Sequence, residues 1–178
     1  PLPFKDPSRL VRLWETTPGY SQMELSPPNY RDWKSSSKSF ETIGAMHGFA
    51  ANMLGEGVPQ RVEGEALTTD ILPMLGVQPM LGRLFTAQDA GNGYVVLSHA
   101  LWQDGFGGDR GVIGHTVVLD GSARIVLGVM PPDFHFPDRQ AQVWLPMPER
   151  QVNDTDRTNN WFEPVARLKP GVSVEQAQ

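Results

Sequence analysis

Cysteine is absent from the 178 residues, which removes disulfides, thiolate chemistry and cysteine-ligated metal sites together. Long apolar runs are missing as well: "YVVL" and "RIVLGVM" fall far below the roughly 18 residues that a bilayer-spanning helix needs. The opening "PLPFKDP" has no basic region followed by an apolar stretch and does not read as a signal peptide. Basic charge is in deficit, with 15 Lys and Arg against 20 Asp and Glu and a net charge of −5. Binding to a phosphate backbone requires the opposite balance, so nucleic acid is not expected as a partner.

What is present is ordinary for a packed fold of one or two small domains: 39% hydrophobic and 20% charged residues. Gly 18 and Pro 16 make about a fifth of the chain, rich in turns but short of the roughly 25–30% of low-complexity sequence. "RLVRLWE" puts Val11, Leu13 and Glu15 on one face and Leu10, Arg12 and Trp14 on the other, the alternation of a half-buried strand. Ser26 ahead of Pro27 starts a helix. Tyr30, Trp33, Phe40 and Ile43 recur at steps of three and seven along one face of it, with the serine run at residues 35–37 as a point of breakage or kinking.

"GAMHGFAANMLGEGVPQRVEGEALT" reads as two or three strands divided at Gly-Glu-Gly and Val-Pro, with Arg61, Glu63 and Glu65 on the solvent side. Thr69 or Asp70 caps a short helical turn that Gly76 stops in the left-handed conformation. "YVVLS" is a strand and "SHALWQDGF" a short helix. "HTVVLDGSARIVLGVM" is a hairpin turning at Asp120 and Gly121, because both turn positions demand positive φ. A further strand is centred on Val143 to Leu145, and another in "WFEPVARLKPG", where Pro164 points to a sheet edge or bulge. Ser173 and Gln176 have capping-box spacing, so a helix begins there. That opening helix at one end and the abrupt start at Pro1 are expected of a piece of a larger protein. The irregular mixture of strands and short helices indicates an α+β fold.

Ser98, between strand and helix, sits where the nucleophile of a hydrolase elbow would. The elbow, however, needs glycine two residues before and after the serine, and Val96 and Ala100 occupy those positions. Ser98 reads instead as a helix N-cap, and His99 beside it points away. His47, His99, His115 and His135 show no i, i+4 pair of a helical zinc site. "GFGGDRGVIG" follows a helix rather than a strand and lacks the dinucleotide register. The five tryptophans, Trp14, Trp33, Trp102, Trp144 and Trp161, fall in apolar faces and are expected to anchor the core.

Seven phrases in order, "DPSRLVRLWETTPG", "SPPNYRDWKSSSKSFETIGAM", "GVPQRVEGEALTTDILPMLGVQPMLGRLFTAQD", "VVLSHALWQDGFGGDRGVIGHTVVLDG", "IVLGVMPPDFHFP", "VWLPM" and "ARLKPGVSVEQAQ", resemble the extracytoplasmic (periplasmic) core domain of MacB-type ABC-transporter permeases over almost the whole chain. The resemblance implies a two-lobed α+β fold: a porter-like lobe of residues 1–77 and 148–178, incomplete at its C-terminus, and an inserted, mostly β, sabre-like lobe of residues 78–147. It implies a noncatalytic domain on the periplasmic side of the bacterial inner membrane that engages adaptor or substrate and transmits ATP-driven movement during export. Partners would be the remainder of the permease, its ATP-binding domain or subunit and a periplasmic adaptor protein, with tethering through transmembrane helices outside these residues. No catalytic residue, metal or cofactor is implied. Turns near residues 76–82 and 146–148 suggest hinges between lobes moving as rigid bodies. Two other functions stay open: a small-ligand binding module, which requires a closed apolar pocket with convergent polar groups, and a serine hydrolase using Ser98.

Overall fold

The computed structural model describes residues 4–54 and 58–177. The first half carries β1 (Leu10–Arg12), β2 (Glu15–Thr17), β3 (Tyr20–Met23), α1 (Pro27–Ser36), β4 (Phe40–Leu54), β5 (Gln60–Leu67) and α2 (Ile71–Leu75). The second carries β6 (Leu81–Gly82), β7 (Tyr94–Leu97), α3 (His99–Phe106), β8 (Thr116–Leu119), β9 (Ser122–Val129), β10 (Ala141–Pro146), α4 (Glu149–Val152), β11 (Glu163–Leu168) and α5 (Val174–Ala177). The fold is α+β, built on a mixed sheet in the order β1-β11-β4-β5-β10-β7-β9-β6, with β8 paired to both β4 and β9.

That double pairing of β8 closes the sheet on itself. The ladders run β4–β5, β5–β10, β10–β7, β7–β9, β9–β8 and β8–β4, so six strands form a ring without a free edge. Its interior is an apolar cluster to which each of the six contributes: Ala51 and Met53, Val62, Val95 and Leu97, Val117 and Leu119, Val126, and Val143. Alternate residues of the same strands face outward, among them Met46, Leu67, Val96 and Trp144, and join α2, Phe4, Phe134 and Val165 in a second cluster. A third cluster holds α1, through Tyr30 and Trp33, on the opposite face of the β1–β11–β4 end of the sheet.

Several expectations from the sequence are met at the local level. Ser26 caps α1, its Oγ accepting from the Asn29 amide at 3.4 Å. Gly76 ends α2 at φ 73°, and the β8–β9 hairpin turns on Asp120 at φ 45° and Gly121 at φ 79°. Ser173 and Gln176 cap each other's amides at 3.3 and 3.0 Å. Val11 and Leu13 share one face, packing on the α1 cluster.

Other expectations are corrected. The helix stops at Ser36, because the Ser35 and Ser36 hydroxyls bond the Asp32 carbonyl at 3.0 and 2.6 Å and Ser37 is already extended. Phe40 and Ile43 therefore lie on β4, although they still meet Tyr30 and Trp33 in one cluster. The "RLVRLWE" strand shortens to three residues, and Glu15 starts a separate β2–β3 hairpin. Asp70 sits at the cap of α2 but spends its carboxylate on Thr68 and Lys34, not on the helix amides. Pro164 is on neither a sheet edge nor a bulge: β11 pairs with β1 on one side and β4 on the other. Its carbonyl accepts from Leu13 just beyond β1, so its missing N–H falls where that ladder ends. The Gly-Glu-Gly turn lies outside the described residues.

Candidate interaction surface

Ser98 is buried and its hydrogen bonds are structural. The Oγ accepts from the Leu101 amide at 3.1 Å, the Ser98 amide donates to the Gln142 carbonyl at 2.8 Å, and its carbonyl accepts from the Trp102 amide. The His99 ring packs edge-on against Trp102 with centroids 5.5 Å apart. This is an N-cap joining α3 to β10, as the sequence indicated. Beyond α3, Gly107 turns the chain at φ 60°, and the Asp109 carbonyl accepts from the Trp102 indole at 2.7 Å. The glycine-rich run is therefore a helix stop.

The histidines lie apart. The His47 ring meets Trp161 at 4.8 Å and Gln151 at 3.4 Å, and His135 is exposed between buried Phe134 and Phe136. Among the described residues no cluster of three or more His, Cys, Asp or Glu has metal-binding geometry. Of the tryptophans, Trp102 and Trp144 are buried core, whereas Trp14, Trp33 and Trp161 are only half-buried.

Two surface cavities flank α1. The larger, about 670 Å³, is an open groove between β1, the β2–β3 hairpin, α1 and α5, lined chiefly by Val11, Leu13, Trp14, Trp33, Phe40 and Val174. Arg12 lies over the Trp14 ring at 4.9 Å. The second, about 500 Å³, opens between α1, the start of α2 and α4. Its polar groups bond one another: Lys34 Nζ donates to Tyr30 Oη at 3.0 Å and to Asp70 at 2.5 Å, and Thr68 donates to Asp70 at 2.6 Å. Burial raises the Tyr30 pKa. Against a burial effect that opposes it, Tyr30 and Asp70 hold the Lys34 ammonium above its ordinary value.

Glu65 is poorly accommodated for a charged side chain. It pairs across the strands with Gly48, where a Cβ would lie 3.4 Å from its Oε1, and its Oε2 is buried with no hydrogen-bond partner. Burial, then the charges of Glu163 and Asp138, push its carboxyl up to about 7, with Arg12 acting the other way. The sequence pattern had placed it on the solvent side with Arg61 and Glu63. Those two are exposed, whereas Glu65 is half-covered, because the outer face of the ring becomes the second core at this point. Sequence reasoning also missed Arg167, buried at 3% exposure. Nothing local in "PVARL" distinguishes it from a solvent-facing arginine.

The MacB-like periplasmic core domain family model matches residues 2–178. No curated protein matches significantly. Among solved structures, a domain from Porphyromonas gingivalis assigned to a permease protein superposes with a TM-score of 0.75 at 22% identity, covering 97% of this chain and 80% of that one. The periplasmic region of MacB from Actinobacillus actinomycetemcomitans gives 0.70 at 14% identity, covering 93% and 76%. The extracellular domain of the noncanonic ABC-type transporter YknZ from Gram-positive bacteria gives 0.66 at 13%, covering 94% and 84%. At these identities the three show a shared fold, and the family match carries the assignment: the chain belongs to the MacB-like periplasmic core domains and is a periplasmic domain of a MacB-like ABC-transporter permease.

Proposed function

We propose that this domain is a noncatalytic transmitter, carrying ATP-driven movement of the membrane-embedded permease to an adaptor or substrate outside the membrane. The observation that supports this reading is β4. Fifteen residues long, it spans about 50 Å at the usual rise per residue. One end pairs with β11 in the sheet that carries α1 and α5; the other end pairs with β8 in the ring. A single strand hydrogen-bonded along its length is a stiff strut, and displacement at one end reappears at the other. Exposed Leu54 and Val58, at the ring end of this strut, supply an apolar tip for a partner.

The division into residues 1–77 with 148–178 and residues 78–147 is proposed here as a division of labour rather than of motion. The ring takes β4 and β5 from the first part, and the β5–β10 ladder crosses the boundary near residue 147. Rotation of one part on hinges at residues 76–82 and 146–148 would have to bend β4 and shear that ladder. A stiff body tilting as a whole avoids both costs.

The test uses the intact permease. The lack of cysteine in these residues leaves them silent to spin labelling, so labels enter at exposed Lys38 and Ser122 through Lys38→Cys and Ser122→Cys. The distance between the two labels is expected to stay constant through the nucleotide cycle, while the distance from each to a label in the membrane-embedded part changes. A constant distance to the membrane part would remove the transmission reading; a changing distance between the two labels would restore the hinge.

A further inference from the structure

A guanidinium cannot discharge itself by losing a proton, so a buried arginine must find acceptors for its donors. Arg167, on the face of β11 turned toward the second cluster, finds them on main-chain carbonyls. Its Nε and Nη2 donate to Met74 at 3.2 and 2.6 Å, at the C-terminal end of α2; Nη2 also donates to Lys5 at 2.6 Å, and Nη1 to Asp6 at 3.3 Å. Two of these three acceptors belong to residues 4–9, a segment that ends in a 3-10 turn over Pro7–Arg9 and leads into β1. Asp6, at φ 43° and ψ 63°, turns the chain within it.

The same segment is held at three other points. The Lys5 amide donates to the Leu75 carbonyl at 2.9 Å. Phe4 is buried and its ring meets those of Phe134 and Phe136, both in edge contact with centroids 6.0 Å apart. Arg9 donates to the Leu168 carbonyl from Nε at 2.9 Å and from Nη2 at 2.6 Å. Gly76 leaves the space this requires, since a Cβ there would lie 2.6 Å from the Lys5 Cβ.

We propose that residues 4–9 form a latched strap through which a pull arriving at Phe4 is delivered at once to β11, α2 and the loop carrying Phe134 and Phe136, with Arg167 as the positioning residue that keeps the strap engaged. This rests on the transmission reading above. Arg167 bonds strap, sheet and helix together, and Phe4 ties the strap directly to residues 131–138 in the middle part of the chain. The strap therefore reaches the ring without passing along β4. Releasing it would strip the buried cation of two acceptors while exposing a phenyl ring, so the two catches open together.

The test compares Arg167→Met, which keeps length and removes the donors, with Arg167→Lys, which keeps a charge and a donor, in the intact permease. Hydrogen exchange of the amides in residues 4–9 is expected to rise about tenfold in R167M, with the β4 and β9 amides still protected. The nucleotide-driven displacement of a label at Ser122 is expected to shrink while ATP hydrolysis continues, and R167K to recover most of both. Unchanged exchange at Lys5 in R167M would overturn the latch. A loosened strap with full displacement of the label would overturn its force-bearing role. Should R167M expose β4 as well, Phe4→Ala decides in its place, by the same two readouts. If the wild-type permease shows no displacement at all, the transmission reading has failed, and exchange at residues 4–9 still judges the latch by itself.

Discussion

The two ends of β4 stand in differently built surroundings. Around its first residues, cations supplement the apolar cluster that holds α1 on the β1–β11–β4 sheet: Arg31 of α1 donates to the Val152 and Asp154 carbonyls and Arg157 reaches Asn29 and Asp32, joining covering segments to one another, Arg12 meets Glu163 within the sheet, and Arg167 and Arg9 bind strap and β11 together through main-chain carbonyls. Around its last residues, the ring interior is packed mainly with valine and leucine, and its strands satisfy one another's main chains. The contrast follows from topology. A ring without edges leaves few carbonyls unmatched, so burial alone can hold it. A short open sheet covered by irregular segments presents carbonyls that no strand can reach, and long cationic side chains fill the gap.

If the two regions are nonetheless one folding unit, the heaviest damage should come from a residue at their junction. Trp144 is fully buried on β10, packs with Phe134 at 5.2 Å, and donates its indole N–H to the Phe136 carbonyl at 2.9 Å. Its cluster also contains Met46 and Val165 from the open sheet. Trp144→Ala is expected to cost about 3–5 kcal/mol in urea unfolding, with a single transition and an unchanged m-value. Two separated transitions would divide the molecule where the sheet does not. Gly64→Ala probes the ring alone: the added Cβ would lie 2.5 Å from the Phe49 ring and 2.6 Å from Val143 Cγ2. Overpacking of this kind costs about 2 kcal/mol, and exchange rates should rise in β5 and β10 before they rise in β1.

Two acids outside the ring interior respond to pH with opposite sign. Glu65, on the outer face of ring strand β5, has its carboxyl raised to about 7 from 4.5, first by burial and then by the charges of Glu163 and Asp138. The folded state therefore holds a proton that the unfolded chain releases, and stability contributed by this group is full below about pH 4.5 and lost as pH rises through about 7. Half-burial discounts the effect to about 1 kcal/mol. Asp89, against Arg83 at 2.7 Å and the Thr86 amide at 2.8 Å, is held down to about 2, chiefly by the Arg83 hydrogen bond. Its contribution is present above about pH 4 and lost as pH falls toward 2. Glu65→Gln should thus stabilise the domain by about 1 kcal/mol near pH 8 and change little near pH 5. Equal effects at both pH values would show that Glu65 is solvated like its neighbour Glu63.

Such differences were only partly legible in the sequence. The turn at Asp120 and Gly121, the stop at Gly76, and the caps at Ser26, Ser98 and Ser173 could be read because each depends on a few consecutive residues and a backbone angle. The closed ring could not, because it depends on Met53 and Leu54 finding Leu119 and Val118 some 65 residues away. Glu65 was placed on the wrong side and Arg167 passed over for the same reason. Alternation along a strand tells which residues share a face but not what covers that face: α2 and the strap close over Arg167, and the segment carrying Asp138 lies against Glu65. Phe40 and Ile43 show a period shared by two structures: they meet Tyr30 and Trp33 as expected, but from a strand across the cluster rather than from the same helix.

The smallest expected effect concerns the residue that most resembled a catalyst. Ser98 Oγ caps one amide of α3, which adds Leu101 and Trp102 to the ring interior. Ser98→Ala should cost about 1 kcal/mol, raise exchange at the Leu101 amide, and leave nucleotide-driven movement of the permease unaltered. A fluorophosphonate probe should leave the folded domain unlabelled, since a serine whose oxygen accepts a main-chain hydrogen bond and whose neighbouring imidazole packs edge-on against Trp102 has no base in line to activate it. Stoichiometric labelling at Ser98, abolished by the same substitution, would instead mean that the ring carries a reaction. The contrast between its two neighbourhoods would then be one of chemistry as well as of packing.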